Sequence, residues 1–467
     1  MLWTAGTRSL PVEKAVGICP RTVYDGQMPR ILPVPGTCVL VLLVGLVGCV
    51  SFDRTGVEDD PSCSQDIAIA ITVNGQTSDD SDASEPLTRV LVGDTVTLSA
   101  SSSCVRRGPM TVHWDISPDR EGIEDTAQPN RDSPEITVIP LEPDMYSVKL
   151  EVTDGDGHDE TLAIQGFEVI GWKGIDPFSD GAETVRDMAV GTDQLFLSTD
   201  QGLFVASLAT PEITPYSMLA VSGAQFEEPL PLLYDAAPNR LWVGPKSSVT
   251  RTVWRVDLDS KIPVSTAVPF SDGRVLDFAV TATGVLIATD KGIYQSLDPA
   301  STEPISTVQS NALAVVSGEL WAGTSSVLVS VGDEARTVDV FPNSGDAIAT
   351  LAADGGTLWI GSQNRGVARY DPVAGGPPEV FSGLLDDQIR ALTIETSGPF
   401  SGDVWAATSR GVMRFKKDRG IWIDIDPSGA SGRTNLLSLA VDTVSGSRAV
   451  YAGSTNGLVY MRVPREP

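Results

Sequence analysis

The chain has 467 residues, 41% of them hydrophobic, with 33 Lys and Arg against 61 Asp and Glu for a formal net charge of -28. That length admits two or three domains with real cores, and the lack of any basic stripe speaks against a nucleic-acid partner. Gly (44) and Pro (32) are abundant and helix-favouring runs are scarce, so turns and strands are expected throughout.

In chain order, the first feature is an apolar run from Cys38 to Val50. Its 13 residues fall short of the roughly 20 that a bilayer span needs. Placed behind Arg30 and followed by small residues, it reads as a secretory signal. Its end, Leu46-Val47-Gly48-Cys49, resembles the lipobox of bacterial lipoproteins. The resemblance implies cleavage before Cys49, a diacylglycerol on its sulfur and a fatty acyl chain on its new amino group, an anchor of more than the two signals that stable attachment takes. Glu13 and Asp25 fit a signal peptide poorly, whereas a conventional one begins at Met28. Residues 1–48 are therefore expected to be a signal region with its true start at Met28. Val50, rather than Asp, follows the cysteine, which favours the outer over the inner membrane of a bacterial envelope.

Residues 49–65 are polar and read as a lipid-anchored tether. Over 66–171, alternating segments such as Asp66–Gly75, Gly93–Ser103 and Met110–Ile116 predict half-buried strands. Two more are joined at Asp154-Gly155-Asp156-Gly157, for which a type I′ hairpin is expected. Gly93-Asp94, the strand around Trp114 and Tyr146–Gly157 together resemble a PKD-type, immunoglobulin-like domain, a family that serves mostly as spacer or binding module. Cys63 and Cys104, the other two cysteines of the mature chain, are expected to form a disulfide in an oxidising compartment, the alternative being two unpaired thiols. Asp154, Asp156 and Asp159 are oxygen donors of the kind calcium takes. Asp-Gly turn chemistry is the simpler reading. His113 and His158 have no nucleophile coupled to them.

From Trp172 to Pro467 one motif recurs, as in the segments starting at Leu195, Leu241, Val285, Leu320, Leu358, Val404 and Val450. Each copy has an apolar strand before it and a looser one after it, which makes four strands at a pitch near 40 residues, the unit of a β-propeller blade. Trp242, Trp321, Trp359, Trp405 and Tyr451 occupy one repeat position. A sugar-stacking role is conceivable there, but repetition favours packing between blades. Gly361, Ala407 and Gly453 leave room for a neighbouring blade. Gly202, Gly292, Gly366, Gly411 and Gly457 are placed where a hairpin needs positive φ. The repeats resemble those of two-component-regulator propellers, a family in which they often form the periplasmic sensing part of a histidine kinase. No kinase or DNA-binding region follows them here. The last copy lacks room for a fourth strand, and the piece before copy one is expected to supply it, closing the ring.

The expected fold is thus all-β, an immunoglobulin-like β-sandwich followed by a seven-bladed β-propeller. The region 172–467 contains neither His nor Cys, which removes Ser-His-Asp, Cys-His and His-ligated zinc chemistry from it. A membrane-anchored, non-catalytic binding or scaffold module is expected, monomeric and without cofactor, its propeller loops taking an envelope protein or a polysaccharide. The alternative is a surface lyase or hydrolase using propeller carboxylates. "WIDID", Trp422 to Asp426, reads more simply as an outer strand than as a catalytic pair.

Overall fold

Alternation of apolar and polar residues makes the strands, and the computed structural model places them in nine larger sheets and one two-stranded pair. It describes Cys63 and residues 65–463, except 80–84, 119–122, 125–130, 176–183, 213–215, 222–225, 227–228, 246–251, 261, 271, 297–302, 333–334, 343, 383, 399, 426–434 and 443–446. The described residues contain strands and turns but no helix. The signal region and Cys49 lie outside them.

The first domain is a two-sheet sandwich. One sheet orders Thr88–Leu91, Asp159–Ile170, Met145–Thr153 and Thr111–Ser117; the other orders Gln76–Ser78, Ile71–Val73, Val96–Ser99, Glu135–Pro140 and Ile123–Glu124. Thr111–Ser117 follows strict alternation, so that Val112, Trp114 and Ile116 point inward. Trp114 is fully buried, and its Nε1 donates to the Ser133 carbonyl at 2.9 Å. The Asp154 turn differs from the expected two-residue hairpin. Thr153 and Asp159 are the last pair, leaving a five-residue loop in which only Gly157 has positive φ. Asp154 Oδ1 accepts both the Asp156 and His158 amides at 2.9 Å, and this side-chain cap replaces the tighter turn.

The sandwich has two distinct poles. At one, the turn Leu91–Asp94 is followed by Val96, and Gly93 donates to the Pro140 carbonyl at 2.9 Å. At the other, Ser99 pairs with Thr72, Ala70 donates to Ser103 Oγ, and Cys63 is bonded to Cys104 with their Cα atoms 5.8 Å apart. The expected disulfide is therefore present, and it lies at the pole away from Asp94. The 12-residue strand Asp159–Ile170 runs between the poles, about 40 Å at 3.3 Å per residue.

The second domain is a β-propeller of seven sheets. Their first strands are Val185–Val190, Pro229–Asp235, Val275–Thr281, Ala312–Val316, Ile348–Asp354, Ile389–Ile394 and Leu436–Asp442. Each packs beside the first strand of the next blade, and Leu436–Asp442 packs beside Val185–Val190. Lys173–Ile175 adds to Gly457–Val463 as the outer strand of blade seven, so the segment entering the propeller closes the ring. Blade three departs from the four-strand unit. Its sheet has three strands, with a single bridge between Ile293 and Ser306 in place of the fourth.

Small residues set the spacing of the blades. A Cβ on Gly361 would lie 2.7 Å from Ile389 Cγ2 of blade six, and one on Gly323 would lie 2.5 Å from Ile348 Cγ2 of blade five. At the closure, a Cβ on Gly453 would meet Ser438 Oγ at 2.4 Å, Val185 Cγ1 at 2.7 Å and the Val185 carbonyl at 2.9 Å. Because one of these neighbours is backbone, Gly453→Ala is expected to lower stability by about 1–3 kcal/mol. A thermal melt tests it, and an unchanged midpoint would show that blades seven and one can part without cost.

Candidate binding face

The repeat aromatics are inter-blade packing. Trp359 of blade five faces Phe415 and Trp422 of blade six, with ring centroids 4.7 and 6.0 Å apart, and Trp321 of blade four meets Tyr370 of blade five at 5.6 Å. Trp242 shares a core with Phe278 and Tyr294 of blade three, and Trp405 one with Leu439 and Val450 of blade seven. All four tryptophans are at most 4% exposed, too little to stack against a soluble ligand. Within "WIDID", Ile423 and Ile425 point in and Asp424 points out, as an outer strand requires; Asp426 lies outside the described residues.

The hairpins after the second strands share a device beyond their glycine. Thr199, Thr289, Thr408 and Ser454 each donate their hydroxyl to the carbonyl of the glycine three residues on, and Thr324 does the same to Val327. Ser362 instead accepts the Asn364 and Arg365 amides at 3.0 and 2.7 Å. Such side-chain bonds fix the turn from within. Gly202, Gly292, Gly366 and Gly457 have positive φ as expected; Gly411 does not, because the Thr408 hydroxyl also accepts the Gly411 amide and turns the chain without it. Each of the seven copies carries this hydroxyl except the one at Leu241, where Pro245 stands. These hairpins and the entries to the first strands form one face of the ring.

A second device, carried by two of the first strands, was not found from the sequence. "VRDMAV" and "VLDFAV" place Asp187 and Asp277 just past a bulge in the first strands of blades one and three. Asp187 accepts the Met188 amide and, across the blade boundary, the Leu232 amide at 2.7 Å. Asp277 does the same with Phe278 and with Leu313 at 2.8 Å. Both oxygens of each carboxylate thus pin neighbouring blades together. Partly buried on the innermost strands, Asp187 is pushed by burial up to about 6 and Asp277 up to about 7, with the charge of Asp187 adding to the latter. Raised carboxyl values favour the folded state most below pH 4, and this contribution fades as pH rises through 6 to 7. Melting temperature is therefore expected to rise between pH 8 and pH 5, and the rise to shrink in the Asp187→Asn/Asp277→Asn variant. An equal pH slope in both proteins would refute the assignment.

The sandwich is locked to the propeller by a buried cluster of charges. Asp94 is paired with Arg414 of blade six, and Arg448 Nη1 of blade seven donates to its two oxygens at 2.8 and 2.6 Å. Arg448 also holds Glu395 at 2.8 and 2.6 Å, while Arg414 and Lys416 contact Asp403 at 2.7 and 3.1 Å. Trp405 Nε1 donates to Glu395 at 2.7 Å, and the Arg448 guanidinium lies 3.9 Å from the Phe400 ring centre. Three carboxylates face three cations, and Asp94, Glu395, Asp403, Arg414 and Lys416 are all at most 3% exposed. Burial pushes the Asp94 carboxyl up, but Arg448 and Arg414 outweigh it and hold it at about 2. Burial and Arg414 push Lys416 down against the pull of Asp403. Apolar contact accompanies the lock: a Cβ on Gly93 would come 2.8 Å from Ile425 Cδ1, and one hydrophobic cluster runs from the sandwich into blades six and seven. Glu395, Asp403, Lys416 and Arg448 stand at strand ends opposite the hydroxyl-capped hairpins. The hairpin face therefore lies at the other end of these strands from the ionic lock.

Asp154, Asp156 and His158 bring potential ligand atoms within 4.8 Å of one another. Asp154 is already committed to the turn and to His158 Nδ1 at 3.1 Å, and Asp156 faces Arg107 at 3.4 Å. The set is a turn with its own cation at hand. His113 bonds Asp132 at 2.8 Å on the exposed surface. Among the described residues no helix is long and apolar enough to cross a membrane.

No family model matches the chain, and no curated protein matches it. Among solved structures it is similar to the extracellular domain of BT4673 from B. thetaiotaomicron, with TM-score 0.49 and 15% identity over 63% of this chain and 40% of that one. It is also similar to the WD40 β-propeller domain of Doa1, with TM-score 0.48 and 16% identity over 63% and 97% of the two chains. A chain of a mitotic checkpoint complex gives TM-score 0.48 and 13% identity over 62% and 90%.

Proposed function

We propose that this chain is a lipid-anchored, extracytoplasmic binding module, in which a PKD-type, immunoglobulin-like sandwich holds a non-catalytic propeller and presents its hairpin face to an envelope partner. The observation that carries the reading is the ionic lock around Asp94, which joins sandwich and propeller at the strand ends away from that face. Anchoring rests on the lipobox resemblance at Leu46–Cys49. The 14 peptide steps from Cys49 to Cys63 reach at most about 50 Å, and Cys63 lies at the pole of the sandwich away from Asp94. The sandwich then acts as a strut rather than a swivel.

A hydrolytic reading would have to draw on propeller carboxylates, and of these Asp187 and Asp277 already hold backbone amides while Glu395 and Asp403 are held in the ionic lock. The test is capture from envelope extract with the acylated protein as bait and Cys49→Ala as the unanchored control. Enrichment of one partner by both forms supports the binding role, and an acyl probe should label only the form with Cys49. Label on Cys49→Ala would sink the anchor, and a chemical change in the captured partner would sink the non-catalytic role.

A further inference from the structure

Basic side chains of this acidic chain are mostly matched to carboxylates: Arg89 to Glu168, Arg240 to Asp257, Arg336 to Glu319 and Arg369 to Glu379. Lys149, Lys173, Arg255 and Arg419 stand singly without an ion pair among the described residues, whereas five further unmatched cations lie together on the hairpin face. Arg274 precedes the first strand of blade three and Lys291 sits in its hairpin; Arg365 is in the hairpin of blade five; Arg390 stands on the bulge of blade six and Arg410 in its hairpin. Each is exposed, and among the described residues none has a carboxylate within ion-pair distance. Arg390 reaches only Gln388 Oε1, at 2.7 Å, and Arg410 only the Leu385 carbonyl.

Several acids of the same face are turned to other work, while Asp387, beside the Gly366 hairpin, is exposed. Asp346 accepts from Ser362 and Asn364, Asp386 from Ser409 and the Gln388 amide, and Asp290 from the Arg274 amide. Carboxylates therefore brace the loops while the guanidinium groups face solvent. Around them stand hydroxyl and amide side chains such as Gln363, Asn364 and Asn456. The exposed large apolar residues, Met218, Ile262, Val264, Ile305 and Val373 among them, all lie off the described hairpins. A protein partner needs a central apolar or aromatic anchor, and the exposed apolar side chains nearest this face, Met218 and Ile305, sit on outer segments beside the blade-one and blade-three hairpins rather than at its centre.

We propose that the hairpin face, centred on blades three, five and six, binds an acidic, carboxylate-bearing polysaccharide. Planar guanidinium groups suit carboxylates in paired hydrogen bonds, and the surrounding amides and hydroxyls suit sugar hydroxyls. The proposal rests on the binding-module reading and names its ligand class.

The test is calorimetry on the full chain in detergent, with polygalacturonate, dextran and poly-glutamate as probes. Polygalacturonate is expected to bind, dextran not to, and affinity to fall at least tenfold between 50 and 300 mM salt. Arg365→Gln/Arg390→Gln/Arg410→Gln should weaken binding at least tenfold with an unchanged melt. Arg274→Gln/Lys291→Gln is the second variant, should the triple one misfold. No binding of polygalacturonate at low salt, or equal binding by both variants, overturns the proposal. Poly-glutamate binding as tightly overturns it in favour of an acidic protein. Failure here alongside capture of an envelope partner leaves the binding module standing, whereas release of new reducing ends supports the surface and counts against the non-catalytic role.

Discussion

Asp94→Ala is expected to destabilise the protein by about 3–5 kcal/mol, because it leaves Arg414 and Arg448 buried with one carboxylate too few. The wild-type cluster balances three charges of each sign, and removing one partner strands a cation in a site where Arg414 is wholly buried. The loss should be felt first at the domain boundary. Urea unfolding followed by Trp114 fluorescence and by far-UV dichroism is expected to show one shared transition for the wild type and two separate ones for the variant. A variant that unfolds in one step with its midpoint unmoved would show that the lock is ornamental. The same carboxyl gives a pH signature. Its folded value of about 2 lies below the ordinary 3.8, so its contribution is full above pH 4 and disappears as pH falls towards 2. Acid should therefore loosen the two domains from each other only well below pH 4, and in Asp94→Ala that step should be missing.

Removing the Cys63–Cys104 bridge should cost about 4 kcal/mol, from the loop-closure entropy of its 41-residue separation. Cys63 is the first described residue of the sandwich, and its partner lies on a two-residue strand, Cys104–Val105, paired with Ile67–Ala68. So short a pairing holds the N-terminal segment weakly without the covalent link. Cys63→Ser/Cys104→Ser is expected to lower the urea midpoint, and reducing agent should bring the wild type to the same value. If reduction leaves the wild-type midpoint where it was, the sandwich keeps its pole by packing alone. The variant should spare the ring itself, since the bridge lies at the pole away from Asp94.

Periodic features were legible from the sequence because each is written several times. The blade unit, the inter-blade position of Trp321 and Trp359, and closure by the segment before blade one all follow from repetition. Asp94 carried no such signal: its partners Arg414 and Arg448 lie 320 and 354 positions away, and a pairing made once between domains leaves no period to read. Asp187 and Asp277 sat in plain view at one repeat position, but only two blades use it. The five unmatched cations of the hairpin face were invisible for another reason. Sequence shows how many arginines there are, while only the fold shows which of them have no carboxylate beside them.

The strand Lys173–Ile175, which closes the ring, is also the first piece of propeller after the sandwich. Were the two domains joined by this strand alone, any pull on the N-terminal side would fall on three residue pairs and peel the closure open. The clamp on Asp94 changes the path of the force. Load entering the sandwich passes through Arg414 and Arg448 directly into the body of blades six and seven, while the closing strand hangs slack between two points already fixed. The ring is thus mechanically bypassed at its own seam, and the protein can be pulled from its N-terminal side without being unzipped.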